Sequence, residues 1–236
     1  MVLALDDVTF YLHDALSKAD PGEDAQQSGL STLAELAEPS RLAELVHSIL
    51  ASPEAISACA RDSHRHPLGF QKLMLINTSP LFELRTHVWW PGGSPGVDHI
   101  HNHRSAFVTT VIRGGYNMQV FQEDRTGMPM VEYRDVARPG TGWRLESVGM
   151  SYLRLLTCAQ LRQGTSYALA PEALHRVAVP QGTLCITLLL RTASLGSTSQ
   201  VFVRPGSPAP ATHPATAMSG ARYRGQLEAL MTELAG

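Results

Sequence analysis

Three histidines alternate along one short stretch: His99, His101 and His103, separated by Ile100 and Asn102. On a β-strand, residues two apart share a face, so the three imidazoles point the same way. Neighbours at i and i+2 lie ~7 Å apart along the strand and can converge on one ion, whereas i and i+4 lie ~13 Å apart. A divalent transition metal would therefore take His99 with His101, or His101 with His103, and strand geometry leaves both pairs open. His64 and His66, in RDSHRHP, have the same spacing but stand beside Pro67 between a helical and a β-rich region, which reads as a solvated connector. His13, His47 and His213 are isolated and carry no signal.

The elements around these histidines follow from periodicity. A weak helical start, VTFYLHDAL, leads into a polar stretch, SKADPGEDAQQSG, which reads as a flexible connection. Between Ser31 and Ala60, Leu33, Leu36, Leu42, Leu45, Val46, Ile49 and Leu50 recur at helical spacing. Pro39 and Pro53 fall where first turns of helices belong, so two or three short helices are expected there. From about Gly69 the chain turns β-like, in FQKLMLI, LFELRTHVWW, AFVTTVIRGGYNMQVF, SYLRLL, TSYALA and TLCITLLLR. PGGSPG, RGG, TGMP, ARPGTG and RPGSPAP separate these runs. No long helical pattern interrupts them, which predicts an antiparallel sandwich or barrel. The expected organisation is a helical N-terminal extension over residues 1–65, a β-barrel over 66–205, and a Pro/Ala linker with a final helix, Gly220 to Leu234, over 206–236.

Composition narrows the function. Of 236 residues, 44% are hydrophobic and 17% charged, a globular composition. The formal net charge of -2 gives no electrostatic case for nucleic-acid binding. MVLAL is too short for a signal peptide, and no run of ~20 apolar residues predicts a membrane span. Cys59, Cys158 and Cys185 have no metal-like spacing and read as free thiols among core residues, in a reducing cytoplasm.

Two motifs resemble those of the cupin superfamily. The first is a His-x-His pair, three residues, usually a Glu, six residues, then a Gly. His101-Asn102-His103, Arg104-Ser105-Ala106, Phe107 and Gly114 fit it without a gap, whereas counting from His99 leaves the glycine two residues late. The second, Gly, five residues, Pro, one residue, Gly, two residues, His, matches Gly164 through His175, with Ala170 in the Pro slot and Glu172 in the second Gly slot. The likeness spans about residues 80 to 203. A closer likeness, to bacterial cupin-like proteins, rests on HVWWPGG, HNHR and RGGY. The resemblance implies a mostly β fold: a cupin (double-stranded β-helix, jelly-roll) barrel, here with flanking α-helices at both termini. It implies one metal ion on His101, His103 and His175.

Phe107 occupies the slot where a Glu commonly completes such a site. Three imidazoles would then be the only protein ligands, leaving about three open positions on a six-coordinate ion. This resembles thiol dioxygenases of the cysteine dioxygenase type and implies Fe(II), with Zn, Ni, Mn or Cu open on ligand chemistry. The cysteine that some of those enzymes cross-link to a tyrosine has no counterpart near Phe107 or Val108. No His-x-Asp/Glu pair is present, so no 2-oxoglutarate signature is evident. The implied function is an Fe(II) oxygenase using dioxygen on a small polar substrate, amino-acid-like or a biosynthetic intermediate. The alternatives are metal-assisted isomerase, lyase or hydrolase chemistry, or a non-catalytic small-molecule-binding cupin. Strand parity adds Arg85, which shares a face with His87, as a carboxylate anchor if that face looks inward. Tyr116 and Tyr167 could donate phenolic hydrogen bonds to substrate or dioxygen. Arg104 is expected to face outward with Asn102, and Glu172 to be a turn residue or a base at the rim. The flanking helices could lid the pocket or form a homodimer.

Overall fold

The computed structural model describes residues 4–18, 23–93, 96, 99–138, 142–194, 198–210 and 216–236. The elements are α1 (Leu5–Ser17), α2 (Glu23–Leu36), α3 (Pro39–Ala51), α4 (Pro53–Arg61), β1 (His64–Arg65), β2 (Gln71–Asn77), β3 (Phe82–Trp89), β4 (Ile100–His101), β5 (Ser105–Arg113), β6 (Gly115–Arg138), β7 (Gly142–Arg162), β8 (Ser166–Leu169), β9 (Leu174–Ala178), β10 (Cys185–Ser194), β11 (Thr198–Val203) and α5 (Gly220–Leu234).

The strands form two antiparallel sheets, ordered β1-β2-β3-β10-β5-β8 and β11-β4-β9-β6-β7. Their central parts, β3-β10-β5-β8 and β4-β9-β6-β7, are the two halves of an eight-stranded jelly roll, the double-stranded β-helix expected from the sequence. Helices flank it at both ends of the chain, also as expected. β11 pairs with β4 on one side and with Val131–Val136 of β6 on the other, so the second sheet closes into a ring. Ile100, Phe121, Met130, Leu153, Leu174 and Phe202 form a buried apolar cluster on that sheet.

Strand alternation gives the first sheet two different faces. Leu84, Val88, Val108, Ile112, Ile186, Leu188 and Leu190 join the main core together with Leu12, Leu33, Leu45 and Ile49 of α1–α3 and Tyr223, Leu227 and Leu230 of α5. Helices from both ends of the chain thus cover one face. Ser63 and Met218 are tied by a backbone hydrogen bond of 2.9 Å, and Trp90 Nε1 donates to Gln226 Oε1 at 2.8 Å. Pro39 and Pro53 both sit at helix starts.

Three expectations change. The stretch read as a flexible connection lies partly outside the described residues, but from Glu23 onward it is helix α2. Gly29, a loop signal in sequence, is where α2 comes close to the barrel: a Cβ there would lie 3.2 Å from Val108 Cγ2. The TGMP separator is an irregularity within β6, where Glu123 and Met128 both face Leu153. Gly127 makes it possible, because a Cβ would sit 2.4 Å from the Leu153 backbone. The thiols also divide: Cys59 and Cys185 are buried, whereas Cys158 is exposed. Part of the expected Pro/Ala linker, residues 211–215, including His213, lies outside the described residues. No helix is long and apolar enough to cross a membrane among the described residues.

If α5 is an integral layer, Leu227→Ala should lower unfolding free energy by about 2–5 kcal/mol, because this side chain is fully buried. Urea denaturation checks this, and a change below about 0.5 kcal/mol, the size of an ordinary surface effect, would mean that α5 only decorates the barrel.

Candidate metal centre

The site is assembled across the second sheet. His101 pairs with His175 of β9 and with Val201 of β11, placing two imidazoles side by side. β4 ends at His101, so His103 is not held by strand alternation. The loop is fixed instead by the asparagine between the two histidines. Asn102 Nδ2 donates to Gln200 Oε1 at 3.0 Å, and Asn102 Oδ1 accepts from Gln200 N at 2.6 Å. His103 N then donates to the carbonyl of Pro171 at 2.9 Å, joining the first histidine segment to the turn before His175. Gly114 ends β5 with φ +75°, and a Cβ there would lie 2.1 Å from Leu184 O. The glycine of the first motif is therefore required by close backbone approach as well as by conformation.

His101, His103 and His175 each offer a ligand atom, and these atoms lie within 4.8 Å of one another. Burial is the largest influence on all three and lowers their pKa values, that of His175 to about 4. At neutral pH they are uncharged, the state in which imidazole binds a metal. His175 Nδ1 lies 3.1 Å from Ala173 O, so as an N–H donor it leaves the Nε2 lone pair free. His101 Nδ1 is buried with no hydrogen-bond partner, which an ion could satisfy. These features fit a transition metal. His99 lies outside the cluster but lines the same cavity. Phe107 faces the cluster, its ring centroid 4.9 Å from His103 and 6.0 Å from His175.

The cluster opens on a cavity of about 620 Å³ between the sheets. Arg85, Tyr116 and Tyr167 all line it, so the sequence-derived candidates are brought together. The pairing of β10 with β3 sets Thr187 opposite His87, Leu189 opposite Arg85, and Arg191 opposite Glu83, all on the cavity side. Glu83 is buried and binds both arginines: Arg85 Nη1 at 3.0 Å and Arg191 through Nη2. Tyr116 and Tyr167 share a 2.8 Å hydrogen bond between hydroxyls. Burial raises both pKa values, that of Tyr167 to about 12, so both stay protonated at neutral pH.

Two expectations fail here. His64 and His66 are no solvated connector: β1 pairs with β2, and both rings line the cavity. His66 stacks on Phe70 at 4.4 Å, and Phe70 on His87 at 4.2 Å. Arg104 does not face outward, but lines the cavity and pairs with Asp135 at 2.7 Å. Glu172 is exposed in the turn before β9 and is not among the lining residues. Sequence reasoning missed Lys72, Glu83, Asp135 and Arg191. Glu83 was within reach, since it stands two residues before Arg85 on the same strand; Arg191 and Asp135 depend on pairings between distant strands.

No protein-family model matches the chain, and no curated protein matches it. Solved structures do. An RmlC-like cupin from Shewanella frigidimarina is 14% identical, with TM-score 0.34, covering 56% of this chain and 83% of that one. A cupin 2 conserved barrel domain protein from Rhodopseudomonas palustris is 15% identical, with TM-score 0.34, covering 56% and 68%. A hydroquinone 1,2-dioxygenase in complex with Cd2+ and 4-hydroxybenzonitrile is 13% identical, with TM-score 0.33, covering 59% and 71%. Similarity this slight assigns no reaction.

Burial holds His64 at a pKa of about 4 and His66 at about 3, below the ordinary 6.5. On acidification the unfolded chain takes up these protons near pH 6.5, and the folded protein does so only near 4 and 3. The stability these two groups contribute is therefore complete above about pH 6.5 and falls below it, by about 1.4 kcal/mol per pH unit for the His66 proton and by less for His64, which solvent screens. Urea midpoints measured in chelator at pH 7 and pH 5 should show this loss. His66→Gln should reduce the difference between the two pH values, and an unchanged difference would mean that His66 titrates normally.

Proposed function

We propose that the protein is a metal-dependent enzyme, a mononuclear non-haem Fe(II) oxygenase. In this reading His101, His103 and His175 hold the ion, and a small polar substrate reacts with dioxygen in the adjoining cavity. The observation that supports it best is the set of three neutral imidazoles within 4.8 Å at the cavity wall, with Phe107 against the cluster. His101, His103 and His175 would hold the ion, and a bound Fe(II) would supply dioxygen activation beside the substrate cavity.

The chain's own residues have separate tasks. Arg85 anchors an anionic group of the substrate, because Glu83 fixes one edge of its guanidinium while its buried Nε has no partner. The tyrosines act as donors, not bases, since burial keeps both protonated. One hydroxyl proton is used within the Tyr116–Tyr167 pair, so the pair offers a single proton to a ligand. Phe107 keeps a carboxylate and its water away from the ion, preserving both charge and space for an anionic substrate.

Purified protein should carry close to one equivalent of a divalent first-row metal. His101→Ala, His103→Ala and His175→Ala should each weaken metal binding by more than about 100-fold, since removing a ligand should exceed the loss seen for supporting residues. His99→Ala should retain the ion. Metal titration checks this, and full retention by His103→Ala together with loss in His99→Ala would transfer the site to the other pair. Phe107→Glu should keep the metal and suppress oxygen consumption, because a carboxylate would fill an open position and reduce the local charge. Tightly bound zinc, with no oxygen uptake after iron loading, would replace the oxygenase with hydrolytic or isomerase chemistry.

A further inference from the structure

The charges lining the cavity are unequal. Lys72, Arg85, Arg104 and Arg191 line it, and Asp135 is the one carboxylate among the described lining residues. Asp135 is engaged by Arg104 at 2.7 Å. Glu83 is shared between Arg85 and Arg191. Lys72 forms no ion pair among the described residues, and burial with the nearby Arg85 charge lowers its pKa to about 8. Four cations less these two acids leave a surplus of two positive charges, while the histidines with lowered pKa values stay neutral.

The surplus is localised. Lys72 stands opposite His87 across β2 and β3, and Arg85 is the next residue along on the same face of β3. Diagonal neighbours of this kind are ~7–8 Å apart at the backbone, within reach of long side chains. Arg85 Nε, Arg191 Nε and His87 Nε2 are buried without hydrogen-bond partners, so the same wall carries unsatisfied polar groups. Buried polar atoms left without a partner are costly, and an anion at this wall would accept from both arginine donors. His101 and His175 of the cluster belong to the opposite sheet, and His103 to the loop that follows β4.

We infer that the ligand of this cavity is a small dianion whose two negative charges lie against Lys72 and Arg85 on the first sheet. Its remainder extends toward the histidine cluster on the second. As the identity of a substrate, this rests on the function proposed above; as a binding preference, it stands without the metal. A dicarboxylate and a phosphomonoester share the required chemistry. A second role follows for Glu83: it holds two arginines in place and is a positioning residue.

Calorimetric titration with glutarate, butyrate and glycerol 2-phosphate separates these possibilities. At least one dianion should bind about tenfold or more tightly than butyrate, the scale of one added hydrogen bond to a charged group. Preference for glutarate identifies a dicarboxylate site, and preference for glycerol 2-phosphate a phosphate site. Lys72→Gln should remove the preference, and Lys72→Arg should restore most of it. The preference should survive in metal-free His101→Ala protein, so failure to find a metal would sink the oxygenase and leave this inference intact. Equal binding of butyrate and both dianions by the native protein would overturn it, with no variant needed. So would an unchanged preference in folded Lys72→Gln.

Discussion

The pairing of β3 with β10 is the constraint on which the rest depends. Each of these strands gives alternate residues to the helical layer and to the cavity. Leu84, Val88, Leu188 and Leu190 face the helices, while Arg85, His87, Thr187 and Arg191 face inward. A slip of one residue would move arginines into the apolar layer and leucines into the cavity. Packing of α1–α5 against one face therefore also sets the chemistry of the other. The helices add nothing to the cluster of histidines, yet they fix which side chains stand across from it.

Electrostatics acts through the same pairing. A lone buried arginine would be costly to desolvate, and two adjacent ones would also repel. Glu83 makes the pair tolerable because it is buried in register with Arg191 and two residues from Arg85. The histidines opposite are kept neutral by burial. One wall is thus cationic at neutral pH and the other presents imidazole lone pairs that could hold a metal, a separation that would orient an elongated anionic ligand.

The barrel was legible because most of its strands are runs rich in Val, Ile, Thr, Leu and aromatics, set off by Gly and Pro clusters. The strands missed lack such runs: β1, the far half of β6, through EDRTGMPMVEYRDV, the first part of β7, and the short strands β9 and β11. There the chain bends and closes a ring, and bulges break the alternation. Among the candidate residues, the choice of His101 and His103 over His99 was legible only through motif spacing, because β4 stops at His101 and a loop places His103. Parity grouped Arg85 with His87 but left open which face looks inward; the helical layer on the other face turns both to the cavity. The solvated reading of His64 and His66 failed because β1, a two-residue strand, pairs with β2 and turns both rings to the cavity, His66 stacking on Phe70 and His64 lying beside His66. The outward reading of Arg104 failed because parity was carried past the end of β4.

The topology has a consequence for how the cavity comes into being. Trp89 pairs with Cys185 and Phe82 with Thr192, partners 96 and 110 positions apart (185 less 89, and 192 less 82). Contacts this distant in sequence form late and slowly, because a long loop must close before any of them is gained. A nascent chain that has not yet reached β10 has no wall opposite the histidines, and Arg85 lacks its neighbour. The cavity has no half-built form: truncation before Cys185 would remove Arg191 and its strand together, leaving Glu83 with one arginine and β3 with an open edge. Such an edge invites pairing with another chain, so an interrupted synthesis product of this protein is expected to aggregate and not to persist as a smaller binding module.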